Sequence, residues 1–139
     1  MYTDNRDAYR QAFFVAWDKY KKQQMLTPVE GQLVEIILVH PEYHALLEKP
    51  KSFEQQEFSL EENPFFHMSL HVAIREQVRM NRPEGVTAIH QAIVTKLGDP
   101  HEAEHAMLTC LAQMLWQAQQ SGEMGSEAVY LDNLRKLAI

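Results

Sequence analysis

Three times in this chain a residue that caps helices stands directly before a proline: Thr27-Pro28, Asn63-Pro64 and Asp99-Pro100. Threonine, asparagine and aspartate side chains accept hydrogen bonds from the free N–H groups of a first helical turn. Proline suits the first helical position because it has no N–H to leave unpaired. Glutamate stands three residues after Thr27 and after Asp99, as in a capping box. These pairs predict where three helices begin.

Apolar residues recur at helical spacing through most of the remaining chain. The first segment, from about Asp4 to Met25, has one continuous apolar stripe at helical spacing: Tyr9, Ala12, Phe13, Ala16, Trp17 and Tyr20. The later segments are predicted as helices over about 28–39, 41–47, 65–81, 85–97, 100–121 and 126–137. Glycine at positions 98 and 122 ends two of them.

Residues 50–63 lose the helical period and are rich in polar side chains, so a surface connection is predicted there. No stretch alternates apolar and polar residues over the length of a strand. The sequence therefore predicts an all-α fold: a single-domain helical bundle over residues 1–139, with six to seven helices and mostly antiparallel neighbours.

Charge and composition exclude several classes of function. The 139 residues carry a net charge of −6, and lysine and arginine are scattered, which argues against a nucleic-acid partner. No apolar run approaches membrane-spanning length and the first residues are polar, so we expect a cytoplasmic protein with no membrane partner. The single cysteine, Cys110, excludes an intrachain disulfide. No nucleotide-cofactor motif is present, and a protein partner or a homo-oligomer stays open.

Histidine spacing is the strongest chemical signal. Six of the seven histidines form three H-x-x-x-H pairs: His40 with His44, His67 with His71, and His101 with His105. Random placement would give roughly a third of one such pair. Four residues make about one helical turn, so each pair can present two imidazoles on one face.

Two of these pairs are expected to point inward and to converge. His67 and His71 share the apolar face of their predicted helix, and so do His101 and His105. Short turns would make the helices after residues 64 and 100 run in the same direction, so both pairs would lie at the same end. His90, on the helix between them, falls near the same level.

A divalent metal would satisfy several inward imidazoles at once. We predict His67, His71, His101 and His105 as ligands of zinc, iron, nickel or manganese. The further candidates are Glu104, His90, His40 and His44. For any single histidine, a buried ring that is hydrogen-bonded to a carbonyl or carboxylate is the more common arrangement.

The residues from His101 to His105 also spell H-E-x-x-H, which supplies two ligands and a general base in zinc peptidases. Glu102 occupies the third position of its helix, where it would complete a capping box. Glu104 points closer to the apolar stripe and is the better candidate ligand. Arg75 and Glu76 lie off the apolar stripe of their helix, which favours a solvated face over a buried ion pair.

Several blocks of residues together resemble the bacterial family known as domain of unknown function 1841. They are His40-Pro-Glu-Tyr-His44, the segment 63–77, Arg82-Pro83 with Gly85, the segment 101–105 and the segment 115–119. Phe13-Phe14, Ala16-Trp17 and Tyr130-Leu131 extend the resemblance over nearly the whole chain. It implies a short, free-standing bacterial protein and carries no activity over to any residue.

Two hypotheses for the function follow from the sequence. The first is a metal-binding helical protein with paired histidines as ligands: four protein nitrogens would make the site structural, whereas three and a water would leave it open for hydrolase or oxidoreductase chemistry. The second is a non-enzymatic interaction or regulatory module whose buried histidines are hydrogen-bonded and hold no metal.

Overall fold

The computed structural model describes residues 2–48, 63–122 and 126–139, with side chains from Arg10 onward. In these ranges the chain forms seven α-helices, one 3-10 helix and no strand, which confirms the all-α prediction. The elements are α1 (Tyr2–Lys21), α2 (Pro28–Leu38), η1 (Pro41–Tyr43), α3 (His44–Glu48), α4 (Pro64–Met80), α5 (Val86–Leu97), α6 (Pro100–Ser121) and α7 (Glu127–Leu137). None of these helices has both the length and the apolar character needed to cross a bilayer. The predicted surface connection, apart from Asn63, lies outside the described residues.

Two of the predicted helix starts are made by the expected caps. Thr27 Oγ1 accepts a hydrogen bond from the Glu30 N–H at 3.2 Å, and a Glu30 carboxylate oxygen accepts one from the Thr27 N–H at 2.9 Å. This is the reciprocal pair of a capping box. Asn63 Oδ1 accepts from the N–H groups of Phe65 at 2.9 Å and Phe66 at 3.1 Å. Local hydrogen bonds therefore set both boundaries.

The start of α6 has the predicted cap in a different form. The Asp99 carboxylate accepts a hydrogen bond from the His101 N–H at 3.1 Å, one residue before Glu102. An N-cap side chain can reach the N–H of either the second or the third helical residue. Asp99 bonds to the second residue, so its cap differs from the predicted box.

The Asp99 cap gives a prediction about stability. Asp99→Ala is expected to lower the free energy of unfolding by about 1 kcal/mol, because the N–H of His101 loses its acceptor. Urea denaturation monitored by circular dichroism measures the change. Asp132→Ala is the control, since it removes an exposed carboxylate paired with Arg135 within α7 and should cost no more than about 0.5 kcal/mol. Equal losses in the two variants would contradict a capping role for Asp99.

Contacts within the chain group its residues into two compact units, 1–72 and 73–139. The boundary between them falls inside α4, because that helix runs from Pro64 to Met80 without a break. The prediction of one domain over the whole chain, and that of mostly antiparallel neighbours, stay predictions.

The first unit has a continuous apolar core built from four helices. Its buried members are Phe13, Phe14, Ala16 and Trp17 of α1, Leu33, Val34, Ile36 and Ile37 of α2, Leu47 of α3, and Phe65 and Met68 of α4. The Phe65 ring centroid lies 6.2 Å from that of Phe13 and 5.6 Å from that of Phe14. Phe65 therefore anchors the first turn of α4 against α1.

The observed apolar face of α1 differs from the predicted stripe. Ala12 is exposed and Tyr20 is 42% exposed, whereas Phe14, which the stripe omitted, is buried. The helix also ends at Lys21 rather than near Met25. A helix that is packed against several neighbours buries a wider face than one stripe of residues at i, i+3 and i+4. The stripe was therefore too narrow and slightly misplaced.

The second unit has its own core on α4 to α7. Its buried apolar residues are Ile74, Val86, Ile89, Ile93, Ala103, Met107, Leu108, Leu111, Tyr130 and Leu134. The Tyr130 hydroxyl donates a hydrogen bond of 2.7 Å to the Gln77 side-chain oxygen. Burial raises the pKa of Tyr130 to about 12, so its hydroxyl stays protonated at neutral pH and can donate.

Candidate metal centre

Three imidazoles of the first unit bring their Nε2 atoms together. His40 stands at the N-cap of η1, and His67 and His71 lie one turn apart on α4. The Nε2 atom of His67 lies 3.2 Å from Nε2 of His40 and 3.2 Å from Nε2 of His71. One ring nitrogen from each of the three lies within 4.8 Å of the others. We call these three residues the histidine cluster.

The rings of the histidine cluster are steeply inclined to one another. The His40 and His67 planes meet at 80°, those of His40 and His71 at 64°, and those of His67 and His71 at 71°. Rings inclined in this way do not stack face to face, and it is their Nε2 atoms that come close. His40 and His71 are buried, at 1% and 0% exposure, and His67 is half-buried. The nitrogens therefore meet in a place where their polar character must be satisfied by protein or by an ion.

The hydrogen bond on the other side of His40 determines which of its nitrogens carries the proton. Its Nδ1 lies 2.8 Å from the carbonyl oxygen of Ile36. A carbonyl only accepts hydrogen bonds, so Nδ1 must be the donor, and in the neutral ring Nε2 then holds a lone pair. Histidines that bind metals are oriented in the same way, with the second ring nitrogen donating to a carbonyl or carboxylate.

Two of the Nε2 separations, from His67 to His40 and from His67 to His71, match those of imidazoles around one metal ion. Zinc–nitrogen bonds of about 2.0–2.1 Å at tetrahedral angles place adjacent nitrogens about 3.3 Å apart, close to the observed 3.2 Å. Because His40 offers a lone pair, a hydrogen bond to it uses the proton on His67 Nε2, and that nitrogen then has no lone pair to accept a proton from His71. A divalent cation accepts three lone pairs at once.

His44, the other member of its sequence pair, does not face the histidine cluster. Its Nε2 lies 2.9 Å from the carbonyl oxygen of Ile37, and its ring lies 4.6 Å from that of Trp17 between centroids. Pro41 separates the two histidines, so His40 has non-helical angles (φ −128°, ψ 65°) and His44 begins α3. The spacing of one helical turn therefore does not place these two imidazoles on a common face.

The second unit holds the remaining predicted residues. The His101 and His105 rings lie side by side on α6, with centroids 4.3 Å apart and planes tilted by 50°. Burial lowers the pKa of His90, and the negative charge of Glu104 opposes that shift. The prediction that His101 and His105 bind one metal together with His67 and His71 joins residues of different units and stays a prediction.

Glu104 forms an ion pair with Arg75, although the sequence favoured a solvated face for Arg75. Arg75 Nε lies 3.1 and 3.2 Å from the two Glu104 carboxylate oxygens. Glu104 is buried and Arg75 is half-buried, so a solvated face was the wrong interpretation for Arg75, although it holds for Glu76, which pairs with Arg79 at an exposed position. A buried carboxylate stays charged only with a partner, and the guanidinium of Arg75 supplies it. Glu102 is exposed and Glu104 is buried, as their positions relative to the apolar stripe predicted.

One residue of the histidine cluster's surroundings was not singled out from the sequence. The Tyr43 ring lies parallel to that of His40 and edge-on to that of His67. The sequence feature that could have identified Tyr43 is its position inside His40-Pro-Glu-Tyr-His44. It lies between two histidines in a segment where proline prevents a continuous helix.

Comparison with known proteins places the chain in a family. The profile of a family described as domain of unknown function (DUF1841) matches residues 5–136. The chain belongs to this family. No curated protein and no solved structure matches the chain significantly. The match to DUF1841 covers all three residues of the histidine cluster, and the family description names no activity.

Proposed function

We propose that this DUF1841 protein binds a divalent transition metal, with His40, His67 and His71 among the ligands. The observation that carries the proposal is the position of His67 Nε2, 3.2 Å from two other Nε2 atoms. One of these, on His40, presents a lone pair because its Nδ1 donates to the Ile36 carbonyl.

The ligand chemistry narrows the list of metals. Neutral imidazole suits zinc, iron, nickel and copper, whereas manganese and magnesium prefer oxygen ligands. Of the four metals predicted from the sequence, zinc, iron and nickel therefore suit the histidine cluster better than manganese. A metal held by three protein nitrogens and a water would be open for hydrolytic or redox chemistry, and a fourth protein nitrogen would close a structural site. The roles of His101 and His105 as ligands, the bacterial origin and the cytoplasmic location stay predictions from the sequence.

Elemental analysis of protein purified without a histidine tag tests metal binding. The natural sequence is expected to carry about one metal ion per chain, and His67→Gln is expected to lose most of it because His67 Nε2 lies between the other two nitrogens. His44→Gln is the matched control: it removes an imidazole of the same unit whose Nε2 faces the Ile37 carbonyl. Its metal content should equal that of the natural sequence. His105→Gln tests in the same preparation whether that residue is a ligand.

The same elemental analysis tests the alternative function, a metal-free interaction module. His44 is an example of an imidazole whose nitrogen is satisfied by a backbone carbonyl. Folded protein that contains no metal, and whose melting temperature ignores added zinc, iron and nickel, would refute metal binding and favour the module.

A further inference from the structure

Tyr43 contacts two residues of the histidine cluster that come from different elements. Its ring plane lies within 7° of that of His40, with centroids 5.5 Å apart. The same ring meets His67 of α4 edge-on, at 74° and 6.2 Å between centroids. Its backbone N–H also donates to the His40 carbonyl oxygen at 3.0 Å, which ties the two residues together within η1. One aromatic side chain thus contacts two of the three imidazoles of the histidine cluster.

The Tyr43 ring restrains a motion of the His40 ring that the hydrogen bond to the Ile36 carbonyl does not prevent. The hydrogen bond to Nδ1 fixes one edge of the His40 ring, but the ring can still tilt about that bond. The stacked Tyr43 ring opposes that tilt, and its edge contact limits the movement of His67. A ligand already held in its binding orientation loses less conformational freedom when the metal arrives. Removing outer groups that orient metal ligands weakens metal affinity by about 10–100-fold.

We infer that Tyr43 is a positioning residue of the metal site, and that it acts through its aromatic ring and not through its hydroxyl. The inference rests on the proposed function, since it concerns the same three imidazoles. The contacts that support it are made by the ring, which lies parallel to that of His40 and edge-on to that of His67.

Cobalt(II) binding to metal-free protein tests the inference, because cobalt reports both affinity and ligand geometry through its visible absorption bands. Tyr43→Phe keeps the ring and is expected to have a Kd within about twofold of the natural sequence, with the same bands. Tyr43→Leu is expected to bind cobalt about tenfold more weakly and with shifted bands, because the two imidazoles lose the aromatic ring that restrains them. Tyr20→Leu is the control: the Tyr20 ring stacks on Trp17 of the same unit, with centroids 5.5 Å apart, and its loss should change neither readout.

The outcomes separate this inference from the proposed function. Cobalt bands and a Kd for Tyr43→Leu equal to those of the natural sequence would overturn the positioning role and leave metal binding intact. Altered bands in Tyr43→Phe would overturn the role of the ring, because they would place the hydroxyl on the metal. If Tyr43→Leu does not fold without metal, Tyr43→Met replaces it under the same criteria. A natural sequence that binds neither cobalt nor zinc would refute both proposals.

Discussion

Zinc added to the metal-free protein is expected to raise its free energy of unfolding by about 2.7 kcal/mol when free zinc is a hundred times its Kd. The reason is that His40 and His67 lie 27 positions apart in the sequence and approach to 3.2 Å only in the folded chain. An ion that binds the folded state alone shifts the unfolding equilibrium by mass action. For a chain of this size the corresponding rise in Tm is about 10 °C. Thermal unfolding in buffers of fixed free zinc, monitored by circular dichroism, measures it.

Three controls make the result specific to the histidine cluster. His67→Gln should show almost no rise in Tm, whereas His44→Gln should keep it, since His44 bonds to the Ile37 carbonyl. Magnesium at the same free concentration should have no effect on the natural sequence, because it prefers oxygen ligands and keeps its waters. A rise of equal size in His67→Gln would mean that zinc stabilises the protein at some other place.

Phe65→Ala is expected to lower the free energy of unfolding by about 3–5 kcal/mol. Phe65 is 2% exposed and its ring packs against Phe13 and Phe14. The Arg10 guanidinium lies over the same ring, 4.9 Å from its centroid, and loses that cation–π contact as well. Truncation therefore removes buried apolar surface, leaves a cavity and takes away the ring that contacts the buried Arg10 guanidinium. Urea denaturation of the metal-free protein gives the difference without a contribution from bound metal.

Phe66→Ala is the matched control on the same helix. Phe66 is the next residue along α4 and is half-buried, so the same truncation removes less burial and should cost less than half as much. An equal or larger loss in Phe66→Ala would contradict the assignment of Phe65 as the anchor of α4. A change in the denaturant slope of either variant would point to altered compactness of the unfolded or native state.

These two expected results concern neighbouring residues of one helix. Phe65 packs the first turn of α4 into the core of the first unit, His67 follows two residues later, and His71 lies one turn beyond His67. The apolar packing that holds α4 in the first unit therefore also positions the two imidazoles. A site held by a packed helix keeps its ligands in place more rigidly than one on loops.

The all-α class and most helix boundaries could be predicted from the sequence because they depend on neighbours within one turn. Thr27 and Asn63 bond to N–H groups two or three residues later. Gly98 and Gly122 end their helices with φ of 78° and 75°, angles that glycine adopts without strain. The spacing of His67 and His71 could be predicted for the same reason, because it spans a single helical turn.

Interactions between distant segments were predicted less well. The ion pair of Arg75 with Glu104 joins positions 29 residues apart, and nothing in the local pattern around Arg75 indicates a buried partner. The width of the apolar face of α1 depends likewise on how many elements pack against it, which brings Phe14 into the core. Periodicity identifies the inward side of a helix but does not identify its neighbours.

For the candidate metal centre, the sequence alone determined that His67 and His71 lie one turn apart on a helix that begins at Asn63-Pro64. The rise and turn of an α-helix impose that spacing whatever surrounds it. Only the tertiary structure decided that His40 joins them while His44 bonds to the Ile37 carbonyl. Pro41 breaks the helical relation between those two histidines, and packing of the segments on either side of residues 49–62 then selects which imidazole meets α4.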